Sequence, residues 1–114
     1  MKKILILSIL CTLTWTQLVY AHPPTKIETA FDHNSKVLYA TITHPVDDPV
    51  DHFIKKVRIM LNGQEIIRHK ISKQDNALIQ AVSYMIPDVQ SGDEVSIEAY
   101  CSIDGTWTEK IQLK

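Results

Sequence analysis

Three histidines and one cysteine stand at the ends of extended segments of this chain. His44 precedes a proline, which favours an extended backbone at His44 itself. His52 follows the seven-residue loop that begins with that proline, so the two histidines flank one loop and can converge. His22 adjoins two stiffening prolines, and Cys101 ends an alternating segment. Imidazole and thiolate ligands together suit iron, copper or zinc, and they argue against magnesium or calcium.

The elements that must position these residues are predicted to be short β-strands. Residues 36–44 alternate with period two and end on His44, and residues 94–101 alternate and end on Cys101. Residues 53–61 show a similar pattern of apolar positions. The side chains predicted to point inward are Leu38, Ala40, Ile42, His44, Phe53, Val57, Ile59, Leu61, Val95, Ile97, Ala99 and Cys101.

Turn signals separate these segments and indicate an all-β fold. Asn62-Gly63 is a strong hairpin signal, which makes 64–71 a return strand. Further strands are predicted at 25–30, at 77–86 and from Trp107 onward. About seven short strands in this length predict an immunoglobulin-like β-sandwich. A helix over Ser72–Ala81 is the one departure from this pattern that we consider.

Composition limits the function classes. The 114 residues carry 12 Lys and Arg against 13 Asp and Glu, with 45% hydrophobic residues and three glycines, which is typical of one compact domain. The formal charge of −1 supplies no basic field for phosphates, so we expect no nucleic-acid partner.

Residues 1–21 are predicted to be a secretory signal peptide. Lys2 and Lys3 precede the apolar run 4–13, and cleavage after Ala21 fits the small residues around that position. The run is too short to span a bilayer, which needs about 20 residues. We therefore expect a periplasmic or secreted domain over residues 22–114, without a stable membrane anchor. Cys101 is its one cysteine and cannot form a disulfide within the chain. That leaves a core thiol, an intermolecular link, a nucleophile or a metal ligand.

Four short motifs, in this order, resemble those of the desulfoferrodoxin and superoxide reductase family. They are His-Pro-Pro at 22–24, His-Pro-Val at 44–46, His-Phe-Ile at 52–54 and Cys-Ser-Ile-Asp-Gly-Thr-Trp at 101–107. The resemblance implies an immunoglobulin-like sandwich with mononuclear iron, for which His22, His44 and His52 would be equatorial ligands and Cys101 the axial, catalytic thiolate. It also implies one-electron reduction of superoxide to hydrogen peroxide, with the electron coming from an unknown donor.

The chain departs from the family pattern in several places. Asp104 occupies the position of the fourth histidine, and we read it as a turn residue before Gly105 rather than a ligand. The loop between His44 and His52 is about two residues longer than the resemblance leads us to expect, and the family's lysine before the first histidine is absent here. Trp107 is expected to pack in the core over the site.

Two non-catalytic functions remain open. If His22 is the first residue of the mature chain, its α-amino nitrogen and imidazole can chelate copper together, as in exported copper carriers, which makes copper the alternative metal. The segment 44–66 and the Gly-Asp-Glu-Val turn at 92–95 also resemble the sulfur-carrier-binding subunit of thiosulfate oxidation. That second resemblance implies a protein-binding sandwich with no metal.

Overall fold

The computed structural model describes residues 22–114, so the predicted signal peptide lies outside the described residues. This part of the chain folds into seven β-strands. They are β1 (Lys26–Asp32), β2 (Val37–Thr43), β3 (Ile54–Leu61), β4 (Gln64–Lys70), β5 (Ile79–Met85), β6 (Glu94–Cys101) and β7 (Thr106–Gln112). A three-stranded sheet has the order β1-β2-β5, a four-stranded sheet has the order β4-β3-β6-β7, and every pairing is antiparallel. The all-β sandwich predicted from the alternation is confirmed.

The helix considered over Ser72–Ala81 is wrong. Residues 72–78 are irregular, and the chain then continues as β5. Polar side chains there bind the backbone: the Asn76 amide oxygen accepts from the N–H groups of Leu78 and Ile79, both at 2.9 Å. Such local bonds compete with the hydrogen bonds of a helix. Within residues 22–114, no helix is long and apolar enough to cross a bilayer.

The core lies between the two sheets and contains most of the predicted inward residues. Leu38, Ala40 and Ile42 of β2 are buried, as are the alternate apolar residues of β6. At the start of β3, however, Ile54 is fully buried, while Phe53 just before the strand is only half-buried. The pairing register with β6 shifts between Ile54 and Lys56, and this irregularity changes which side chain faces inward at the start of the strand.

The Asn62-Gly63 turn forms the predicted hairpin between β3 and β4. Both residues have positive φ, at 50° and 83°, as a type I′ turn requires. This turn lies at the opposite end of β3 from His52, so it sets the direction of the strand that leads away from the histidines.

The strand ends that carry or adjoin the candidate ligands meet at one end of the sandwich. β3 begins beside the end of β6, because Ile54 pairs with Cys101. The segment before β1 joins the end of β2, since the Thr25 N–H donates to the Thr43 carbonyl at 2.9 Å. Antiparallel pairing therefore brings positions 22, 44, 52 and 101 to the same group of loops.

Candidate metal centre

His22, His44 and His52 form a cluster at this end of the sandwich. One ring nitrogen from each lies within 4.8 Å of those of the other two. The ring centroids are 4.9 Å apart for His22 and His44, 5.2 Å for His22 and His52, and 4.7 Å for His44 and His52. His44 is fully buried, whereas His22 and His52 are half-buried. The three imidazoles predicted from sequence as ligands are thus brought together, with one side open to solvent.

The N-terminal segment that carries His22 is held by close packing. Pro24 is fully buried, and Pro23 lies against Gly105 in the turn after β6. Gly105 has φ of +95°, and a Cβ there would come within 2.7 Å of the Cβ of Pro23. The glycine of the C-terminal motif is therefore required for the approach of two segments that are distant in sequence.

Gln74 determines the orientation and the protonation of His44. This fully buried side chain donates from Nε2 to the carbonyls of His44, at 2.7 Å, and Asn76, at 2.9 Å. Its Oε1 accepts from the Ile54 N–H at 3.2 Å. These backbone partners leave only one assignment for the amide, so the contact of 2.8 Å between Oε1 and His44 Nδ1 requires a proton on Nδ1.

The second ring nitrogen, Nε2, lies 3.2 Å from the His22 carbonyl oxygen. A proton on Nε2 would complete a hydrogen bond there, whereas a ring that is protonated on Nδ1 alone offers the Nε2 lone pair as a ligand. In that tautomer, His44 can bind a cation among the three imidazoles. The proton on Nδ1 and its bond to Gln74 are the outer contacts by which proteins orient histidine ligands of metals.

Cys101 adjoins the cluster through His52. It is buried at the end of β6, and its Sγ lies 3.0 Å from His52 Nε2. The Ile103 N–H approaches the same sulfur at 3.5 Å, and the Cys101 N–H donates to the Gly105 carbonyl at 2.9 Å. The turn after β6 therefore fixes the position of the sulfur, and no disulfide partner is present among the described residues.

The separation between sulfur and nitrogen fits shared ligation of one ion. A thiolate bond of about 2.3 Å and an imidazole bond of about 2.0 Å, set at a right angle, place the two atoms about 3.1 Å apart. A tetrahedral angle would place them about 3.5 Å apart. The observed 3.0 Å matches ligands at a right angle, and it also matches a hydrogen bond between the two atoms. Cys101 is not among the residues whose donor atoms all lie within 4.8 Å of one another. The three histidines are therefore the described group that could hold an ion, with the Cys101 sulfur against one of them.

The electrostatics favour the form of His52 that binds metal. Burial lowers the pKa of the His52 imidazole, the neighbouring imidazoles of His44 and His22 lower it further, and the carboxylate of Asp47 opposes this. A lowered pKa keeps the ring neutral at physiological pH. A neutral ring offers its lone pair to a cation without first losing a proton.

Two other residues of the C-terminal motif lie outside the cluster. Asp104 is exposed in the turn after β6 and does not belong to the three-histidine group, in agreement with its reading as a turn residue. The expected core position of Trp107 is wrong: although opposite Ala99, it lies on the edge strand β7 and is 38% exposed.

Gln74 is the site residue that sequence reasoning missed. It lies in a polar stretch, 30 residues after His44, and no motif marks it. The sequence offered one hint of its role: a glutamine in an irregular segment to which no partner had been assigned.

Comparison with known proteins shows which solved structures share this fold. No family model and no curated protein matches the chain. Among solved structures, the superoxide reductase (1Fe-SOR) from Giardia intestinalis superposes with a TM-score of 0.63 at 17% identity, covering 81% of this chain and all of that one. The chain has a superoxide-reductase-like fold.

A second solved structure shares this superoxide-reductase-like fold more distantly. A hypothetical protein from Pyrococcus horikoshii OT3 superposes with a TM-score of 0.56 at 12% identity, covering 83% of this chain and 91% of that one. At identities this low, the structural similarity shows the fold alone. The chemistry has to be inferred from the residues of this chain.

Proposed function

We propose that residues 22–114 form an exported mononuclear iron domain that reduces superoxide to hydrogen peroxide. One observation carries the proposal: His22, His44 and His52 converge at one end of a superoxide-reductase-like sandwich, with the Cys101 sulfur 3.0 Å from His52 Nε2. Superoxide would gain one electron from an external reductant and two protons from water. Export is supported by the leader pattern of residues 1–21, and the location would be the periplasm or the exterior.

The side chains have separate tasks in this reaction. Iron bound at the cluster would supply the one-electron couple. Gln74 accepts a hydrogen bond from His44 Nδ1, which would leave Nε2 to bind the ion. The Ile103 N–H faces the Cys101 sulfur and favours its thiolate form. Half-buried His22 and His52 leave a route by which a diatomic oxidant and water reach the cluster.

Metal content of exported protein tests the proposal first. We expect protein purified anaerobically from its native compartment to contain one iron per chain. On oxidation it should show a thiolate-to-ferric charge-transfer band, which Cys101→Ser abolishes. Exposed His33, at the opposite end of β1, provides the control: His33→Ala should keep both iron and band. Superoxide added to the reduced protein should then produce the band with stoichiometric peroxide.

Copper is the alternative metal, and the same preparation distinguishes it. Three imidazoles without a fourth nitrogen in the described cluster also suit a copper carrier. Copper in place of iron, or iron-loaded protein that does not react with superoxide, would overturn the enzymatic function. Protein without any metal would leave the protein-binding sandwich as the remaining reading.

A further inference from the structure

A cavity of about 330 Å³ lies at the end of the sandwich opposite the candidate metal centre. Strand β1 ends there and β2 begins there, and residues 89–91 and 113–114 complete the lining. The volume is within the range of about 300–1,000 Å³ that is usual for small-molecule sites. We call this space the distal cavity.

Apolar side chains form part of the lining of the distal cavity. Phe31 is half-buried there, whereas Val89 and Leu113 are buried residues of the core. His33 also lines the cavity and stands edge-on to Phe31, with ring centroids 5.0 Å apart and ring planes at 86°. The Gly92 N–H donates to the Leu113 carbonyl at 2.9 Å and so ties the end of the chain to the turn beside it. These side chains offer a preformed surface on which an apolar body can pack.

Lys36 adds a positive charge to this lining from a strained backbone position. Its φ is 56°, in the left-handed region that residues with a side chain rarely adopt. Its half-buried Nζ donates to the Val89 carbonyl at 2.8 Å, which holds the ammonium beside the cavity. An ammonium has three donors, and among residues 22–114 the Val89 carbonyl is the one acceptor that it bonds. Glycine would adopt this φ at lower cost, and strain of this kind is often retained at ligand sites.

The carboxylates at this end of the sandwich lie outside the lining of the cavity; they are Asp32, Asp88, Asp93 and Glu94. The Asp32 carboxylate accepts from the Asn34 N–H at 2.9 Å, and the Asp93 carboxylate accepts from the Gln90 N–H at 2.8 Å. A terminal carboxylate at Lys114 would offset the charge of that exposed lysine. Lys36 is therefore the cation that the lining offers, and it would select an anion by direct contact rather than by a long-range field.

We propose that the distal cavity binds a small organic anion with an apolar body, such as an aromatic carboxylate. The carboxylate would accept from Lys36 Nζ, and the body would pack on Phe31, Val89 and Leu113. Apolar surface with a few fixed polar groups is the usual composition of small-molecule sites, in which the polar groups set the orientation of the ligand. The cavity is separate from the candidate metal centre, so this inference does not depend on the proposed function.

Three probes that separate charge from apolar surface test the proposal. They are naphthoate, its uncharged amide naphthamide, and acetate, which has the carboxylate without the rings. In titrations of isotope-labelled exported protein followed by NMR, naphthoate should shift the backbone amide signals of residues 31–36 and 89–92. Naphthamide and acetate should each bind roughly tenfold more weakly or worse, because each lacks one of the two contacts.

Variants of the lining identify the group that binds the anion. Lys36→Asn removes the charge, and asparagine tolerates a positive φ, so this variant should fold and lose roughly tenfold in naphthoate affinity while binding naphthamide as before. Lys36→Arg keeps the charge and should retain most of the affinity. Lys70→Asn, at the end of β4 near the metal centre, is the matched control and should change nothing. Ser91→Trp should fill the cavity and weaken naphthoate binding.

Thermal unfolding of each variant distinguishes loss of the ligand site from loss of the fold. Equal affinities for naphthoate and naphthamide, or an unchanged naphthoate affinity in Lys36→Asn, would overturn the proposal. Acetate that binds as tightly as naphthoate would remove the role of the apolar side chains and also overturn it. So would naphthoate that does not bind saturably, or that shifts signals only on other surfaces of the domain.

Discussion

At the scale of single residues, the protonation of His44 is the feature on which the candidate site depends most. Its Nδ1 proton follows from hydrogen bonds that Gln74 makes with backbone groups, whose donor and acceptor roles are unambiguous. The other ring nitrogen, Nε2, lies 3.2 Å from the His22 carbonyl oxygen and is the atom through which His44 would bind a cation. Contacts within this chain thus set the orientation of the ring, without reference to the family resemblance.

Replacing Gln74 is expected to weaken metal binding. Gln74→Leu removes the group that orients His44 and leaves Nδ1 without its acceptor, so metal affinity should fall roughly 10- to 100-fold. Gln80→Leu is the control, because Gln80 is also buried but accepts from the Asp75 N–H, at 3.1 Å, and not from a histidine. Competition with a chelating dye measures both affinities. Equal losses in the two variants would show that Gln74 has only a structural role.

Acid should destabilise the metal-free domain through His52. Its pKa is lowered in the folded state, so below the ordinary value of 6.5 the unfolded chain binds a proton that the folded chain does not. The stability present above about pH 6.5 should therefore be lost progressively as the pH falls towards the folded pKa. Urea unfolding of chelator-treated protein between about pH 5 and about pH 8 measures this. His52→Gln should flatten the dependence, whereas His33→Gln should reproduce that of the unaltered chain.

At the scale of elements, the contact between the N-terminal segment and the turn after β6 assembles the site. His22 belongs to the first segment, Cys101 immediately precedes the second, and the two segments meet where Pro23 packs on Gly105. The Thr25 bond to the end of β2 brings the same segment beside His44. The histidine cluster therefore depends on a packing contact that lies outside every strand.

Gly105→Ala should dislodge His22. The new Cβ would clash with Pro23 at 2.7 Å, and the residue would keep a φ of +95°, which disfavours any side chain. Gly63→Ala is the matched control: its φ is +83°, but nothing lies within 4 Å. Both should lose about 1–2 kcal/mol of stability from backbone strain. Only Gly105→Ala should also lower metal affinity. Metal titration measures the affinity, and thermal unfolding measures the stability of both variants. Unchanged affinity in Gly105→Ala would show that the contact does not position His22.

At the scale of the whole domain, the net charge bears on the proposed reaction. Residues 22–114 contain ten basic and thirteen acidic residues, a net charge of −3, which repels superoxide because superoxide is itself an anion. This chain also lacks the lysine that the family resemblance leads one to expect before the first histidine. The proposed reaction would therefore proceed without long-range electrostatic attraction of the oxidant.

The rate with superoxide should accordingly rise with ionic strength. Like charges repel less when screened, so we expect the bimolecular rate constant of the iron-loaded domain to increase between about 10 mM and about 200 mM salt. Asp47→Asn/Asp51→Asn/Asp104→Asn should raise the rate at low salt, because it removes three negative charges from the loops that follow His44 and Cys101. Pulse radiolysis measures the rate constant. A rate that falls with salt would indicate that the local field at the metal is positive.

Much of the fold could be predicted because the alternation of inward and outward side chains along a strand is a local property. Side chains of a strand point to opposite faces in turn, so the inward residues of β2 and β6 are readable from a few neighbouring positions. The type I′ turn at Asn62-Gly63 is likewise local. The three histidines were identifiable from their residue types and their places beside loops, and the structure brings them together.

What could not be read from local pattern depends on contacts between distant segments. The inward position of Ile54 follows from a register shift against β6, and the role of Gln74 follows from bonds to a residue 30 positions away. The three histidines form a cluster because separate loops share one end of the sandwich. The sequence by itself determines the chemistry of each side chain and the alternation of inward and outward positions. The distances between the site residues are decided by how the sheets pack, because a given spacing in sequence is compatible with many separations in space.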